Sequence, residues 1–393
     1  MADLWRERLI DTRSLLDSFR RFYDREARLF RAPGRVNLIG EHTDYNEGFV
    51  LPMAIDRATF VAGAARDDRR VRVHSVNFDE SAEFNLDVEG RGRRGLWLDY
   101  VEGVARELEK RGARLRGADL MISSDVPLGA GLSSSAALEV STGFALLSLS
   151  DVAINPKELA LAAQAAEHNY VGAQVGIMDQ FTAVMGKRGH ALLIDCRSLE
   201  TTQIPIGASE VVVAICDTRV KHELASSEYN TRRRECERGV EILREWLPQV
   251  RALRDVSVED FERYENHLPE PVRRRCRHIV TEDARTLLAA EALRDGRTEE
   301  MGRLMFLSHK SLRDDYEVSC AELDTMVEIA SGVKGVMGAR MTGGGFGGCT
   351  VNLVLRASLD EFQKEIESGY KRATKLDPFI YIAEASDGAK EVS

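Results

Sequence analysis

The chain has 393 residues, of which 54 are Lys or Arg and 64 are Asp or Glu, so its formal net charge at neutral pH is −10. This excess of acid argues against broad binding to nucleic acid or to an anionic membrane, since both reward a basic face. The absence of an apolar run long enough for a membrane span or a signal-peptide core predicts a cytoplasmic protein, and the length predicts two or three domains.

In the first half of the chain, periodicity and turn residues predict a mixture of helices and strands. The predicted elements are a helix over 4–23, strands at 59–64 and 71–76, and helices over 98–110, 132–149 and 156–170. The two strands are separated by a charged turn, which favours antiparallel neighbours. The basic segment 91–95 favours a solvated turn over a phosphate clamp.

The second half is more helical and ends in a strand, a helix and a strand, which predicts an α+β arrangement. The predicted elements are strands at 191–195 and 211–217, charged helices within 228–310, a strand at 350–355, a helix over 359–373 and a strand at 379–383. Ser358 and Glu361 are spaced as a capping box for that last helix. The arginine runs 232–234 and 273–275 are typical of solvated helix faces.

The six cysteines form no C-x-x-C pair and have no histidine at zinc-ligand spacing beside them. We therefore expect reduced thiols that bind no metal.

A dense polar cluster occupies residues 34–46, Gly-Arg-Val-Asn-Leu-Ile-Gly-Glu-His-Thr-Asp-Tyr-Asn. Glu41, His42 and Asp44 are all side chains that ligate metals. They are equally suited to carbohydrate, because carboxylates accept hydrogen bonds from hydroxyl groups and imidazole donates or accepts. A polar turn after a strand is the third interpretation, and the residues alone leave all three open.

A second cluster, residues 123–138, places glycines and three serines at the start of a predicted helix. The unpaired N–H groups of a first helical turn form an anion site, and a serine hydroxyl could also ligate Mg²⁺. The segment lacks the Lys of a Walker A loop and the G-x-S-x-G of a hydrolase elbow. A serine-rich helix cap with no ligand is the alternative.

The third cluster contains two acids whose neighbours are unusual. Glu167 ends an alanine-rich helix, where the helix dipole does not favour a carboxylate, so it could be placed there for a cation. Asp179 lies between apolar residues and could accept a proton from a substrate hydroxyl while an arginine keeps it ionised. Taken alone, each acid is equally consistent with a surface position.

The fourth cluster is the glycine-rich run 343–348. It fits G-x-G-x-x-G, but a strand follows it where a dinucleotide fingerprint requires a helix, so we reject dinucleotide binding. Five glycines in six residues predict a loop that closely approaches a ligand or another loop.

Together these clusters resemble the sugar-kinase branch of the GHMP kinase superfamily, and the galactokinase family in particular. Residues 34–45 are similar to the signature G-R-x-N-L-I-G-E-H-x-D-Y, residues 127–137 to the phosphate loop P-x-G-x-G-L-S-S-S-A, and residues 341–349 to the third, glycine-rich motif. Ala130 and Glu47 stand where relatives commonly have glycine.

The resemblance implies a mixed α/β (α+β) fold of two domains with the active site in the cleft between them. Residues 1–205 would form a ribosomal-protein-S5-like domain with a left-handed βαβ crossover, and residues 206–393 a ferredoxin-like domain. It also implies a monomer that uses ATP and Mg²⁺ to phosphorylate the C1 hydroxyl of α-D-galactose, the first step of galactose (Leloir) metabolism.

Each residue that matches the family's motifs receives an implied role. Asp179 would be the catalytic carboxylate and Arg35 the transition-state cation, while Ser135 and Glu167 would hold Mg²⁺. The sugar contacts would be Glu41, His42, Thr43, Asp44, Gly176 and Tyr229. The nucleotide contacts would be Gly129, Ala130, Gly131, Leu132, Ser133, Ser134 and Ser135, with Ser75, Asn77 and Trp97 as less specifically matched candidates beside the adenine.

Two other hypotheses remain open at this stage. The acceptor could be N-acetylgalactosamine, galacturonate or L-arabinose, because related kinases share the loops and differ in pocket residues. The protein could instead be a sensor of sugar and ATP that binds a regulatory partner without turnover. The complete set of candidate catalytic residues argues against a sensor, which needs none of them.

Overall fold

The computed structural model describes residues 10–88, 92–207, 210–220 and 225–392, with backbone alone for 225–227. The helices in these ranges are α1 (Thr12–Tyr23), α2 (Leu98–Lys110), α3 (Ser134–Leu149), α4 (Pro156–Ala166), α5 (Met178–Met185), α6 (Ala225–Leu243), α7 (Val258–Tyr264), α8 (Val272–Arg294), α9 (Thr298–Ser311), α10 (Ala321–Gly332) and α11 (Leu359–Thr374). The strands are β1 (Arg28–Asn37), β2 (Phe49–Val50), β3 (Pro52–Arg66), β4 (Arg70–Ser75), β5 (Glu80–Asn85), β6 (Gly117–Ser124), β7 (His190–Asp195), β8 (Thr201–Pro205), β9 (Val211–Asp217), β10 (Val336–Thr342), β11 (Cys349–Leu355), β12 (Phe379–Ala383) and β13 (Lys390–Val392).

The largest sheet has six strands in the order β13-β1-β3-β6-β4-β5. The β4–β6 pair is parallel and every other neighbouring pair is antiparallel. Helix α2 lies in the connection that leads to β6, and its apolar side packs with α3 and α4 against the sheet in one buried cluster. This arrangement holds β1 and the start of α3, which carry two of the predicted clusters, next to each other.

The predicted pairing of the strands at 59–64 and 71–76 is wrong. These residues lie in β3 and β4, but β6 is inserted between them and pairs with both. A short charged turn favours a hairpin locally, whereas a strand that follows much later in the sequence satisfies the backbone groups of both edges.

A four-stranded antiparallel sheet, β10-β11-β9-β12, forms the second layer of the fold. Along the chain, the strands of this sheet and the helices between them follow the order strand, helices, strand, strand, helix, strand. This is the order of a ferredoxin-like unit, as the resemblance implied. Helices α10 and α11 cover one face around Phe362 and Tyr370. The other face shares a buried cluster with the first sheet, in which Val36 and Ile55 join Ile215 and Val351. A small sheet, β2-β7-β8, completes the fold.

Several element predictions are confirmed and three need correction. Helix α2 and strands β9 and β12 match their predicted bounds, and all six cysteines are free. The N-terminal helix begins at Thr12, and residues 4–9 of the prediction lie outside the described part of the chain. The capping box is wrong: a 3₁₀ turn over Arg356–Ser358 precedes α11, and the Ser358 side chain makes no capping hydrogen bond.

The two arginine runs are not wholly solvated. Arg232 and Arg275 are buried, with 7% and 3% of their surface exposed. Arg275 binds Glu235 and Glu317, while Arg232 donates to the carbonyl oxygens of Tyr316 and Glu317. A basic run gives no sign of which arginine will meet these partners, since they come from distant segments. Among the described residues, no helix combines the length and apolarity needed to cross a membrane.

Candidate active site

Arg35 and Asp179 form the centre of a cleft of about 780 Å³. The Arg35 guanidinium donates from Nε and Nη2 to the two carboxylate oxygens of Asp179, both at 2.8 Å, and from Nη1 to the Gly131 carbonyl oxygen at 2.6 Å. Ser133 donates to Asp179 at 2.5 Å. The carboxylate is therefore held in one orientation by three donors, and its side chain is still 23% exposed to the cleft.

An irregularity in β1 directs Arg35 into this position. The register with β3 shifts between Pro33 and Arg35, and the Arg35 N–H donates to the Leu132 carbonyl oxygen at 3.1 Å instead of to a strand. A Cβ atom at Gly34 would lie 2.7 Å from that same oxygen, so glycine is required for β1 to approach the loop before α3.

Glu41 and His42 are buried beside the arginine pair. Glu41 accepts a hydrogen bond from the Gly343 N–H at 2.6 Å and lies 3.5 Å from the buried guanidinium of Arg340. His42 has φ of 66° and shares a hydrogen bond of 2.8 Å between Nδ1 and the Tyr45 hydroxyl. Burial, with nearby His278 and Arg232, holds the pKa of His42 well below its usual range, so the ring is neutral. His42 lines the cleft, and its ring interacts with the backbone of Gly344 in the glycine-rich loop.

Asp44 lies between the same residues and the loop that precedes α5. Burial and the charge of Asp179 raise the pKa of Asp44 to about 7. A Cβ atom at Gly176 would lie 1.6 Å from Asp44 Oδ2, so only glycine leaves room for this carboxylate. Tyr229, in the first turns of α6, places its ring 5.5 Å from that of His42 and lines the cleft. Thr43 is turned away, with its hydroxyl near the carbonyl oxygens of Gly40 and Phe49.

The loop before α3 and the glycine-rich loop after β10 form a second wall. Gly129 and Gly131 have φ of 70° and 77°, and Ser133 has φ of 59°. A Cβ atom at Gly348 would lie 3.2 Å from the Ala130 carbonyl oxygen. The glycine-rich run therefore packs closely on another loop, which was one of its two predicted partners. Ala130 and Leu132 are buried beneath the surface of this wall.

Glu167 is buried behind the wall, in a π-helical turn (Glu167–Val171) that continues α4. Burial and Asp179 raise its pKa to about 7, an increase opposed by hydrogen bonds from Ser135 and Gln180. Gln180 donates from Nε2 to Glu167 at 2.9 Å and to the buried Glu139 at 3.2 Å. Glu167 and the Ser135 hydroxyl thus offer a hard cation two neighbouring oxygens.

This donor set fits Mg²⁺. The described residues contain no group of three or more His, Cys, Asp or Glu that could hold a metal by themselves. Mg²⁺ is usually held by one or two carboxylates, and water and substrate phosphates complete its shell. A buried carboxylate with no arginine bound to it, beside a hydroxyl and a phosphate-type loop, meets that description.

Of the ten predicted nucleotide contacts, only Gly129 and Gly131 belong to the described lining of the cleft. The other eight are Ala130, Leu132, Ser133, Ser134 and Ser135 in the loop before α3 and the first turn of that helix, and Ser75, Asn77 and Trp97 in other segments. Asn77 is bound to the backbone of Ser124, and Trp97 donates from Nε1 to Glu80 at 2.8 Å. Ser75 is buried in β4. Exposed apolar side chains are adjacent to two of these residues in the sequence, Phe78 to Asn77 and Leu96 to Trp97.

Sequence reasoning missed several residues that form or support the cleft. Arg340 is fully buried, donates to the Asn37 carbonyl oxygen at 3.0 Å and pairs with Glu41. The Tyr316 hydroxyl lies 2.7 Å from that of Tyr45 and so supports His42 indirectly. Arg340 directly precedes the third motif, but the local sequence does not distinguish it from a surface arginine, and Tyr316 also gave no signal.

Comparison with known proteins defines the class first. Models of the GHMP kinases N terminal domain and the GHMP kinases C terminal match residues 99–187 and 289–372. The crystal structure of the Methanococcus jannaschii mevalonate kinase shares the fold, with a TM-score of 0.65 at 19% identity over 92% of this chain and 99% of that one. The fold and the phosphate-type loop are those of a GHMP kinase.

The particular family follows from closer relatives. The galactokinase galactose-binding signature matches residues 17–65. The galactokinase of Chloroflexus aggregans is 51% identical over 380 residues, 96% of this chain and 97% of the relative. The crystal structure of Lactococcus lactis galactokinase complexed with galactose superposes with a TM-score of 0.93 at 34% identity, over 97% of this chain and 99% of that one. The chain belongs to the galactokinase family.

Proposed function

We propose that this protein is an ATP-dependent kinase that phosphorylates the C1 hydroxyl of α-D-galactose. The observation that carries this proposal is the cleft itself, where the oriented Asp179 carboxylate adjoins a phosphate-type loop on one side and the polar group Glu41, His42 and Asp44 on the other. Such a cleft holds a sugar hydroxyl and a triphosphate next to one proton acceptor.

In the transfer, the C1 oxygen forms a bond to the γ-phosphorus while the bond from that phosphorus to the β,γ-bridging oxygen breaks. The hydroxyl proton passes to the Asp179 carboxylate, and ADP leaves with the bridging oxygen. Arg35 holds Asp179 with two donors and donates to the carbonyl oxygen of Gly131 in the phosphate-type loop. From this position its positive charge also stabilises the negative charge on the phosphoryl group during transfer. Glu41, His42 and Asp44, which line the cleft together, orient the sugar.

Ser135 and Glu167 would hold Mg²⁺, as the donor set allows. When bound, the ion neutralises phosphate oxygens and so favours transfer of negative charge to ADP. The N–H groups at the start of α3 and the two glycines before it bind phosphate oxygens. We also propose that the protein is a cytoplasmic monomer with domains at 1–205 and 206–393.

A substrate panel tests the function. ADP release with Mg²⁺-ATP is measured with D-galactose, N-acetylgalactosamine, galacturonate, L-arabinose and glucose, and without sugar. We expect turnover to be fastest with galactose. Faster turnover with another sugar would identify that sugar as the acceptor. Nucleotide binding without ADP release on any sugar would favour a sensor.

Gly176→Ala is expected to weaken galactose binding at least about tenfold, because the new methyl group displaces the Asp44 carboxylate from the sugar. Calorimetry with galactose measures the effect. Gly332→Ala is the matched control, since nothing lies within 4 Å of a Cβ atom there. Equal affinity of the Gly176→Ala variant and wild type would remove Asp44 from the sugar contacts.

Galactose binding is expected to release a proton near pH 7. Burial raises the pKa of Asp44 to about 7 in the free protein, and hydroxyl donors favour the ionised carboxylate, so this pKa falls when sugar binds. Affinity should therefore rise with pH through about 7. Calorimetry in two buffers of different ionisation enthalpy measures the released proton. Release that persists in Asp44→Asn would assign it to another group.

A further inference from the structure

Arg93 lines the cleft and has no partner among the described residues. It lies in the loop between β5 and α2 and lines the same cleft as Gly129 and Gly131. It forms no hydrogen bond or ion pair with any residue that the structure describes. The adjacent Arg94, by contrast, is bound to Asp99 and Glu102. The predicted solvated turn at 91–95 agrees with the exposure of Arg93, whereas Arg94 is partly buried in its ion pairs and Arg91 lies outside the described residues.

The Arg93 guanidinium lies beside the loop that follows the π-helical turn. Its Nη1 is 2.6 Å from the position that a Cβ atom would take at Gly172, whose φ is 86°. Burial raises the pKa of Tyr100 to about 12, and the charges of Glu167 and Arg93 act on that hydroxyl in opposite directions. Arg93 thus lies beside the loop that follows Glu167.

The charges of the residues that line the cleft favour a cation at the position of Arg93. Its described lining contains three acids, Glu41, Asp44 and Asp179, but two arginines. Arg35 is already committed to Asp179 and to a carbonyl oxygen. A triphosphate entering this cleft meets a negative field, and an exposed guanidinium with free donors offsets it at little cost in broken contacts.

We propose that Arg93 binds phosphate oxygens of the ATP. The inference rests on the proposed function, which places the nucleotide in this cleft, and it adds a residue that no sequence motif supplies. Because Arg93 is exposed and unpaired, the side chain is free to form bidentate hydrogen bonds with phosphate once the nucleotide is present.

Steady-state kinetics at saturating galactose provide the first test. Arg93→Ala should raise the KM for Mg²⁺-ATP about tenfold, with little change in the KM for galactose, and Arg93→Lys should recover part of the loss. Arg13→Ala removes an exposed arginine from α1 and serves as the matched control. An unchanged KM for Mg²⁺-ATP in Arg93→Ala would overturn the proposal.

Calorimetry without sugar provides a second test that does not depend on turnover. Arg93→Ala should weaken ATP binding and its dependence on salt, but leave adenosine binding unchanged. Equal losses for ATP and adenosine would mean that Arg93 supports the fold of the cleft and does not contact phosphate. If ATP binding depends on Arg93 but no sugar is phosphorylated, the inference stands and the proposed function fails. If wild-type protein binds no ATP, both fail.

Discussion

Asp179→Asn is expected to lower kcat by at least about 10³-fold while galactose still binds. The carboxylate is the acceptor for the hydroxyl proton, and proton transfer by a positioned side chain contributes about 10²–10⁴-fold. The amide also turns an N–H group toward Arg35, which loses one of its two acceptors on residue 179. ADP release measures turnover, and calorimetry measures galactose affinity.

Asp17→Asn is the matched control, because Asp17 is an exposed acid of α1 outside the cleft. It should retain the kcat of wild type. A kcat of Asp179→Asn within tenfold of wild type would remove this carboxylate from the chemistry. Loss of galactose binding together with a large fall in melting temperature would instead assign Asp179 to the fold.

Arg35→Lys is expected to lower kcat by about 10²–10³-fold, the range found when one charge-stabilising donor is removed. The ammonium keeps the charge, but it cannot donate at once to both Asp179 oxygens and to the Gly131 carbonyl oxygen. The KM for galactose should change little, since Glu41 and Asp44 remain. Steady-state kinetics with both substrates separate these effects.

Arg13→Lys makes the same exchange at an exposed position and should leave kcat and both KM values unchanged. If Arg35→Lys keeps the kcat of wild type, charge alone is sufficient at this position and the fork geometry has no role. If kcat is unchanged but the KM for galactose rises, Arg35 acts on sugar binding and not on the transfer.

The sequence predicted those parts of the fold that depend on local signals. Helix α2 and strands β9 and β12 agree with their predicted bounds because each is a strong periodic or apolar run between clear turns. The predicted pairing of β3 with β4 was wrong because it depends on a strand from a distant part of the sequence. β6 lies between β3 and β4, and the turn that joins these two strands does not indicate that a later strand will pair with both.

The site was predictable where its residues share one continuous motif. Arg35, Glu41 and His42 are close in sequence, and the structure brings Asp179 and Tyr229 to them. Their chemical types could be read from the residues, whereas their roles came from the resemblance.

The supporting residues were not predictable, because burial of a charge depends on partners from distant segments. Arg340 pairs with Glu41 and Arg232 with the backbone of Tyr316, yet both arginines resemble surface residues when the sequence is read locally. Arg93 shows the converse: it stands beside Arg94 in one basic segment, but Arg94 is bound to Asp99 and Glu102, whereas Arg93 lines the cleft.

The central claim is that this cleft transfers the γ-phosphoryl group of ATP to the C1 oxygen of galactose. Phosphorus NMR of a completed reaction, with proton coupling to the sugar, tests it most directly. We expect one sugar phosphate whose phosphorus couples to the anomeric proton of the α form, formed in step with ADP and absent with Asp179→Asn. Coupling to another sugar proton, or ADP formed with inorganic phosphate and no sugar phosphate, would contradict it.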